Sequence, residues 1–438
     1  MDGKLLVRLY NVGLGDCIYL RVPDANRDVH ILIDCGNKFG KLDLLGECIE
    51  HLKKELPDAG NGKKRLDLLV VSHPHEDHHK GFEAAFFSDI KIEHIWLSPA
   101  YGDETPQSRG FHALQAAVGR ALNSFSDLSE TALGELSEDV RELLSLSKSE
   151  ALQMLKFTLP AANQIQPVYV TADTPEAQLK IFEDDAIKLK VLGPMADIDR
   201  FYLGGNGLMT SSDEITTAAL ESGYNALFTT SGEIEIKPPQ NISGQDFERL
   251  RSRIQANALA VAAVVGHAVN NLSVVLLLEW HGRRLLFSGD AEWSEARKGA
   301  VKDYSSNGSW NVMWQERKED LSEPLDFYKI GHHGSENATP WTPKDHPINA
   351  ILAHLLPEGR KAYAVASTQR TSRWPSIPDA ALLEELGKRV ANARAEYVEA
   401  EGPKSVKPNI PQPQRTDLEE QVTGVAVAYI QIPFDPLE

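Results

Sequence analysis

The residues of this chain best equipped for chemistry stand together in one segment, SHPHEDHHKG, at positions 72–81. Its H-x-H-x-D-H core places four metal-capable side chains, His73, His75, Asp77 and His78, within six residues. Residues two apart in an extended segment point the same way, so His73 and His75 can grip one cation. Asp77 and His78 follow after a turn and can face a second. Imidazole with carboxylate is the ligand mix of zinc, manganese or iron. A solvated polar loop is the bland alternative. Against it, the chain spreads only 14 histidines over 438 residues, yet four of them fall at 73–79, straight after an apolar run.

Two distant segments offer partners. RRLLFSGDAEW ends an apolar run on Gly289-Asp290. A carboxylate fixed there could bridge two cations and hold them about 3.5–4 Å apart, although Gly-Asp also suits an ordinary turn. FYKIGHHGSE ends another run at His332-His333. His332, directly at the strand end, is the favoured ligand of the second cation. His333 is then a supporting group or a proton donor to a leaving group. For the first cation the remaining ligand is His267, with Asn270 or Asn271 as rivals for that corner. Asp34 ends a strand-like run and could orient a ligand histidine or the attacking water, or simply cap a turn. In NVGLGD (11–16), Gly13 and Gly15 shape the backbone and Asp16 could support the site.

These residues need elements to place them. KLLVRLY (4–10), CIYLRV (17–22) and VHILI (29–33) read as strands punctuated by Gly and Asp. Residues 41–56 read as a helix, with Leu42, Leu45, Ile49 and Leu52 at helical spacing. LDLLVVS (66–72) is a continuous apolar run of the kind buried on both sheet faces, and it ends directly at His73. IEHIWLS (92–98), VYVTA (168–172), IKLKVLGP (187–194), LSVVLLLEW (272–280), RRLLFSGD (283–290), LDFYKIGHH (325–333), KAYAVAS (361–367) and GVAVAYIQI (424–432) read as further strands. Residues 108–157 are helical in character. PDAALLEELGKRVANA (378–393) is a helix with Pro378 near its start. The chemistry then falls at strand ends, where α/β sheets collect it. Segments 101–165 and 197–255 read as insertions, a lid or a partner surface, within a single domain spanning 1–438. Residues 402–414 are a Pro-rich loop before the last strand.

Bulk properties bound the function. Apolar residues make up 42% and charged residues 25%, ordinary globular usage with enough material for a core. The formal net charge of -18 repels a phosphate backbone at long range, which argues against broad nucleic-acid binding but not against a local, cation-assisted site. Cys17, Cys35 and Cys48 are odd in number and lack C-x-x-C spacing, which reads as reduced thiols. The longest apolar stretch, Ala258 to Val265, is far short of the roughly 20 residues of a membrane span. With no signal-peptide pattern at the start, a soluble, cytoplasmic protein is expected.

Together, the H-x-H-x-D-H core at 73–78, SGD at 288–290 and the strand-ending His332 resemble the metallo-β-lactamase superfamily. Within it the chain is most similar to the hydrolase domain of ComEC-type DNA-uptake proteins and their free-standing relatives. NVGLGD (11–16), ILIDCG (31–36), VLGP (191–194), NNLSVVLLL (270–278), LLFSGDAE (285–292), IGHHGSE (330–336) and RTD…GVAVAYI (415–430) carry that likeness across the chain outside the insertions. It implies an α/β fold, a four-layer αββα sandwich with the cations at one edge between the sheets. It also implies that His73 and His75 with a third ligand hold one divalent ion, that Asp77, His78 and His332 hold the other, and that Asp290 bridges. The expected ions are zinc, with manganese as the alternative. Two departures stand out. These 438 residues hold no run apolar and long enough for that group's membrane channel, and Trp374 in TQRTSRWPS stands in the place of the histidine of the group's C-terminal His-Pro pair.

The expected activity is hydrolysis by a cation-activated water, with Asp77, Asp34 and His333 as the catalytic candidates. Asn270, Ser335, Arg370 and Arg373 are the candidates for substrate contact. The likeness points to a phosphodiesterase or nuclease acting on DNA. A small-molecule or cyclic-nucleotide hydrolase, and a non-catalytic regulatory module of the same fold, are the other readings. The insertions offer a surface for a protein partner or activator, and could block the site until moved.

Overall fold

A computed structural model of the chain describes residues 3–38, 42–102, 149–202, 268–294, 308–359, 362–368, 375–390, 419–420 and 429–437. The chain divides into two compact units: residues 1–102, 150–196 and 270–438, and residues 103–149 and 197–269. Most of the second unit, with the bulk of both expected insertions, lies outside the described residues, and so does the loop at 402–414 of the first unit. Its described part contains the short helix Ile198–Phe201, capped by the Asp197 side chain, which accepts from the Arg200 amide.

The first unit is mixed α/β with two mixed sheets. The first sheet runs in the order β13-β14-β1-β2-β3-β5-β6-β7, and β4 adds to β5. Its strands are β1 (Leu5–Tyr10), β2 (Cys17–Pro23), β3 (Asp28–Cys35), β4 (Asp58–Gly60), β5 (Lys63–Val71), β6 (Ile90–Leu97), β7 (Val168–Tyr169), β13 (Glu419–Glu420) and β14 (Tyr429–Phe434). Strands β3, β5, β6 and β7 are parallel; β14, β1, β2 and β3 are antiparallel. The second sheet has the order β12-β11-β10-β9-β8. It comprises β8 (Ile187–Gly193), β9 (Val275–Trp280), β10 (Arg283–Phe287), β11 (Phe327–Ile330) and β12 (Tyr363–Ala366), and β10, β11 and β12 run parallel.

Period-two alternation explains the packing. Leu5, Val7 and Leu9 of β1 and Ile18, Leu20 and Val22 of β2 face one apolar cluster together with Leu276, Leu278, Trp280, Leu285, Phe287 and Phe327 of the second sheet. One core therefore draws on both sheets. The Trp280 indole, buried in it, donates to the Pro23 carbonyl at 3.0 Å. The alternate residues Leu6, Tyr10, Cys17 and Tyr19 join a second cluster with Leu45, Ile49 and Leu52 of helix α1 (Leu42–Glu55). Lys53 and Lys54 in the last turn of α1 complement its dipole. Residues 150–163, read from sequence as part of an insertion, are helical, and Ala151, Met154, Leu155 and Leu159 are buried in this same cluster. On the second sheet, Trp310 packs edge-on against Tyr328 at 6.2 Å between ring centroids.

The apolar runs became strands, shorter where local chemistry ends them. RRLLFSGD stops at Phe287 because Gly289 takes φ +51, outside the strand region. VYVTA is strand only over Val168–Tyr169. Of 424–432, residues 424–428 lie outside the described residues and the strand extends to Phe434. Pro378 precedes the cap rather than opening the helix: Asp379 is the N-cap of Ala380–Arg389, accepting from the Leu382 amide. The three cysteines are buried and free. Among the described residues, no helix is long and apolar enough to cross a membrane.

Candidate metal centre

Parallel strands in each sheet deliver the chemistry at their C-terminal ends. Asp34 closes β3. His73–His78 follow β5 and enter the one-turn helix α2 (Glu76–His79), with His75 at its N-cap. Asp290 follows β10, His332 and His333 follow β11, and Ser367 follows β12. The H-x-H-x-D-H segment is held by close backbone approach. A Cβ on Gly15, in the β1–β2 turn, would collide with Gly36 and Asn37, and one on Gly36 would collide with the Asp77–His78 peptide. Asp16 seals the junction, its amide donating to the Asp77 carbonyl at 3.0 Å.

Two buried ligand triads result. His73, His75 and Asp290 converge so that one ligand atom from each lies within 4.8 Å of the others, and so do Asp77, His78 and His333. Asp290 stands between the groups: its Oδ2 lies 3.7 Å from His73 Nε2 and 3.2 Å from His78 Nε2. All six residues are buried.

Hydrogen bonds aim each imidazole. Ser72 Oγ gives its one proton to Asp34 Oδ2 at 2.7 Å, so it can only accept from His73 Nδ1, 3.1 Å away; His73 Nε2 is thereby left with its lone pair facing the triad. Asp34 Oδ2 also accepts from His78 Nδ1 at 2.8 Å, which turns His78 Nε2 toward Asp290 Oδ2. His333 Nδ1 donates to the Ser367 carbonyl at 2.8 Å and turns Nε2 to Asp77 Oδ2 at 2.9 Å. Carboxylate and carbonyl partners of this kind fix the tautomer of a ligand histidine.

The electrostatics of the cluster separate its members. Burial, reinforced by the His78 and His75 imidazoles, holds His73 well below its usual value. Burial likewise takes His75 down to about 3. Both are therefore neutral bases at pH 7. His78 goes the other way: against burial, the Asp290 and Asp34 charges raise it well above the ordinary histidine range. Burial would raise Asp77 and Asp290. The Lys38 charge and the His333 hydrogen bond instead hold Asp77 far below the carboxylate range, and the His78 and His332 charges do the same for Asp290. Asp77 Oδ1 is buried with no hydrogen-bond partner, a costly arrangement that a cation would relieve. The donor set thus fits a pair of divalent cations.

The expected residues divide. His73, His75, Asp77, His78 and Asp290 come together. His333, rather than the favoured His332, joins Asp77 and His78. His332 and His333 both take left-handed backbone, φ +39 and +54, a rare state for such side chains. His332 turns away, its Nδ1 3.0 Å from Glu292 Oε1, its amide donating to Asp290 Oδ1 at 2.9 Å. Burial opposes it, but Asp290 and Glu292 lift the His332 imidazole to about 9. Asp34 orients His78 rather than capping a turn. Asn270 donates to Glu292 Oε1 at 3.1 Å, and Asn271 accepts from the Ser309 amide at 2.6 Å, so the asparagines brace the neighbouring loops. Ser335 donates to Asn337 Oδ1 at 3.0 Å within its own loop. His267, Arg370 and Arg373 lie outside the described residues.

Sequence reading passed over three supports. Tyr101 donates to the His73 carbonyl at 3.1 Å and contacts His79 Nδ1 at 3.0 Å, bracing the ligand loop. Ser273 takes the Asp290 amide at 3.0 Å. Lys329, a charged residue inside the apolar run LDFYKI, carried a readable signal, because a lysine there needs a buried partner. No family model matches the chain, and no curated protein matches it.

Proposed function

We propose that this protein is a two-cation hydrolase of the metallo-β-lactamase type, acting on a phosphodiester, DNA foremost. The observation that carries the reading is the pair of buried triads with Asp290 between them, built at strand ends of two sheets that share one core. Helical segments beside each sheet fit the αββα arrangement. His73, His75 and Asp290 would hold one divalent ion, and Asp77, His78, His333 and Asp290 the other, zinc or manganese. Such ions supply Lewis acidity and lower the pKa of water toward neutrality. Asp34, Ser72 and the Ser367 carbonyl keep the ligand nitrogens aimed. His332, part-exposed beside Asp290 with Nδ1 engaged by Glu292, is positioned to hand a proton from Nε2 to the leaving group.

The choice of a phosphodiester rests on the motif likeness to the ComEC-type hydrolase domains; the net charge of -18 leaves polyanion attraction to the cations themselves. The test is a panel of plasmid, single-stranded DNA, RNA, cyclic nucleotides and a chromogenic phosphodiester, with Zn²⁺, Mn²⁺ or Mg²⁺. DNA turnover that falls at least about 100-fold in Asp77→Ala, a loss of the size that outer-shell changes alone can reach, is the expected result. Activity that survives the substitution contradicts a two-cation mechanism. Turnover confined to cyclic nucleotides or other small esters replaces the DNA assignment.

A further inference from the structure

Lys329 and Asp16 form a buried pair that no step above uses. Their side chains are 1% and 2% exposed, and Lys329 Nζ lies 2.8 Å from one Asp16 carboxylate oxygen and 2.9 Å from the other. Among the described residues it also donates to the Ile330 carbonyl at 3.0 Å. A buried ion pair of this kind contributes little net stability compared with neutral residues of the same shape; its best-attested use is to fix register. What it would fix is readable here. Lys329 sits on β11, which ends at Ile330 and runs into the turn that carries His333. Asp16 belongs to the β1–β2 turn, holds the Asp77 carbonyl through its amide at 3.0 Å, and takes the Gly36 amide on its own carbonyl at 2.9 Å. The pair therefore joins, across the two sheets, the strand that leads to one residue of the second triad and the turn whose backbone holds the segment carrying the other two. Asp16 Oδ2 also lies 3.9 Å from His78 Nδ1. Although Asp16, Asp34 and His78 form a third convergent cluster, Lys329 engages both Asp16 oxygens, which makes that carboxylate a strut rather than a further ligand.

We infer that Lys329 and Asp16 are positioning residues that set the spacing between His333 and the Asp77–His78 pair, and so the affinity for the second cation. The inference rests on the two-cation reading.

The test uses the full-length, metal-free protein titrated with Co²⁺, read by visible absorption and by calorimetry. The double variant Asp16→Asn/Lys329→Met removes both charges while keeping similar volumes, and denaturant unfolding checks that it folds. Asp16→Glu, which keeps the charges but lengthens the strut, is the second variant. The first equivalent of Co²⁺ is expected to bind both variants as it binds wild type. The second should bind about 10–100-fold more weakly, the range seen when outer-shell partners are lost, with an altered absorption band. Wild-type affinity and spectrum for the second equivalent in either variant overturn the inference. Failure of the wild-type protein itself to take up Co²⁺ would instead overturn the two-cation reading.

Discussion

At the scale of single residues, the centre turns on which of two adjacent histidines faces inward. His333 lies 2.9 Å from Asp77, while His332 pairs with Glu292. His333→Ala is therefore expected to lose one equivalent of bound Zn²⁺ and His332→Ala to keep both, measured by elemental analysis after equilibration. The reverse pattern would assign the ligand to His332. The sequence marked this corner but not its direction. Both histidines follow the same apolar strand, and the split depends on two consecutive left-handed residues, which ordinary propensities disfavour. The H-x-H-x-D-H segment was legible because one short stretch contains four of the six convergent side chains, so local spacing alone brings them together. Asp290 was legible for a related reason: a carboxylate straight after a buried strand has few places to point.

At the scale of elements, continuous apolar runs identified nearly every described strand. Their ends were set by features that hydrophobicity does not encode, such as the left-handed Gly289 and the Asp379 cap. Polar groups inside strands carry their own consequences. His30, in β3, is buried with Nδ1 2.8 Å from the Tyr19 hydroxyl of β2. Burial first, then the charges of Arg65, Arg21 and Arg27, bring its pKa from 6.5 down to about 4. Between those values the unfolded chain takes up a proton that the folded chain refuses. Stability is thus full above about pH 6.5 and is lost as the pH falls toward 4, by about 3 kcal/mol for this group. In metal-free protein, His30→Gln should abolish that part of the pH dependence, so that urea unfolding curves of wild type and variant diverge by that amount between pH 7 and pH 4. Parallel profiles would show that His30 titrates normally.

At the scale of the whole molecule, the order of strands within each sheet was not legible, because period-two patterns say which face is buried but not which neighbour a strand meets. The composition did anticipate a substantial core, and one of its two clusters draws on both sheets. That shared core is what lets β5 and β11, from different sheets and more than 250 residues apart in sequence, present Asp77 and His333 to one another. A fold that converges in this way gains stability from whatever ion the convergent groups bind, because binding favours the native state alone. The most direct test of the account is equilibrium titration of the chelator-treated, full-length protein with Zn²⁺, followed by calorimetry and thermal unfolding. Two equivalents bound per chain, each raising the unfolding temperature, with both lost in Asp290→Ala, is the predicted result. A chain that takes up no divalent cation, or takes it up equally well without Asp290, contradicts it.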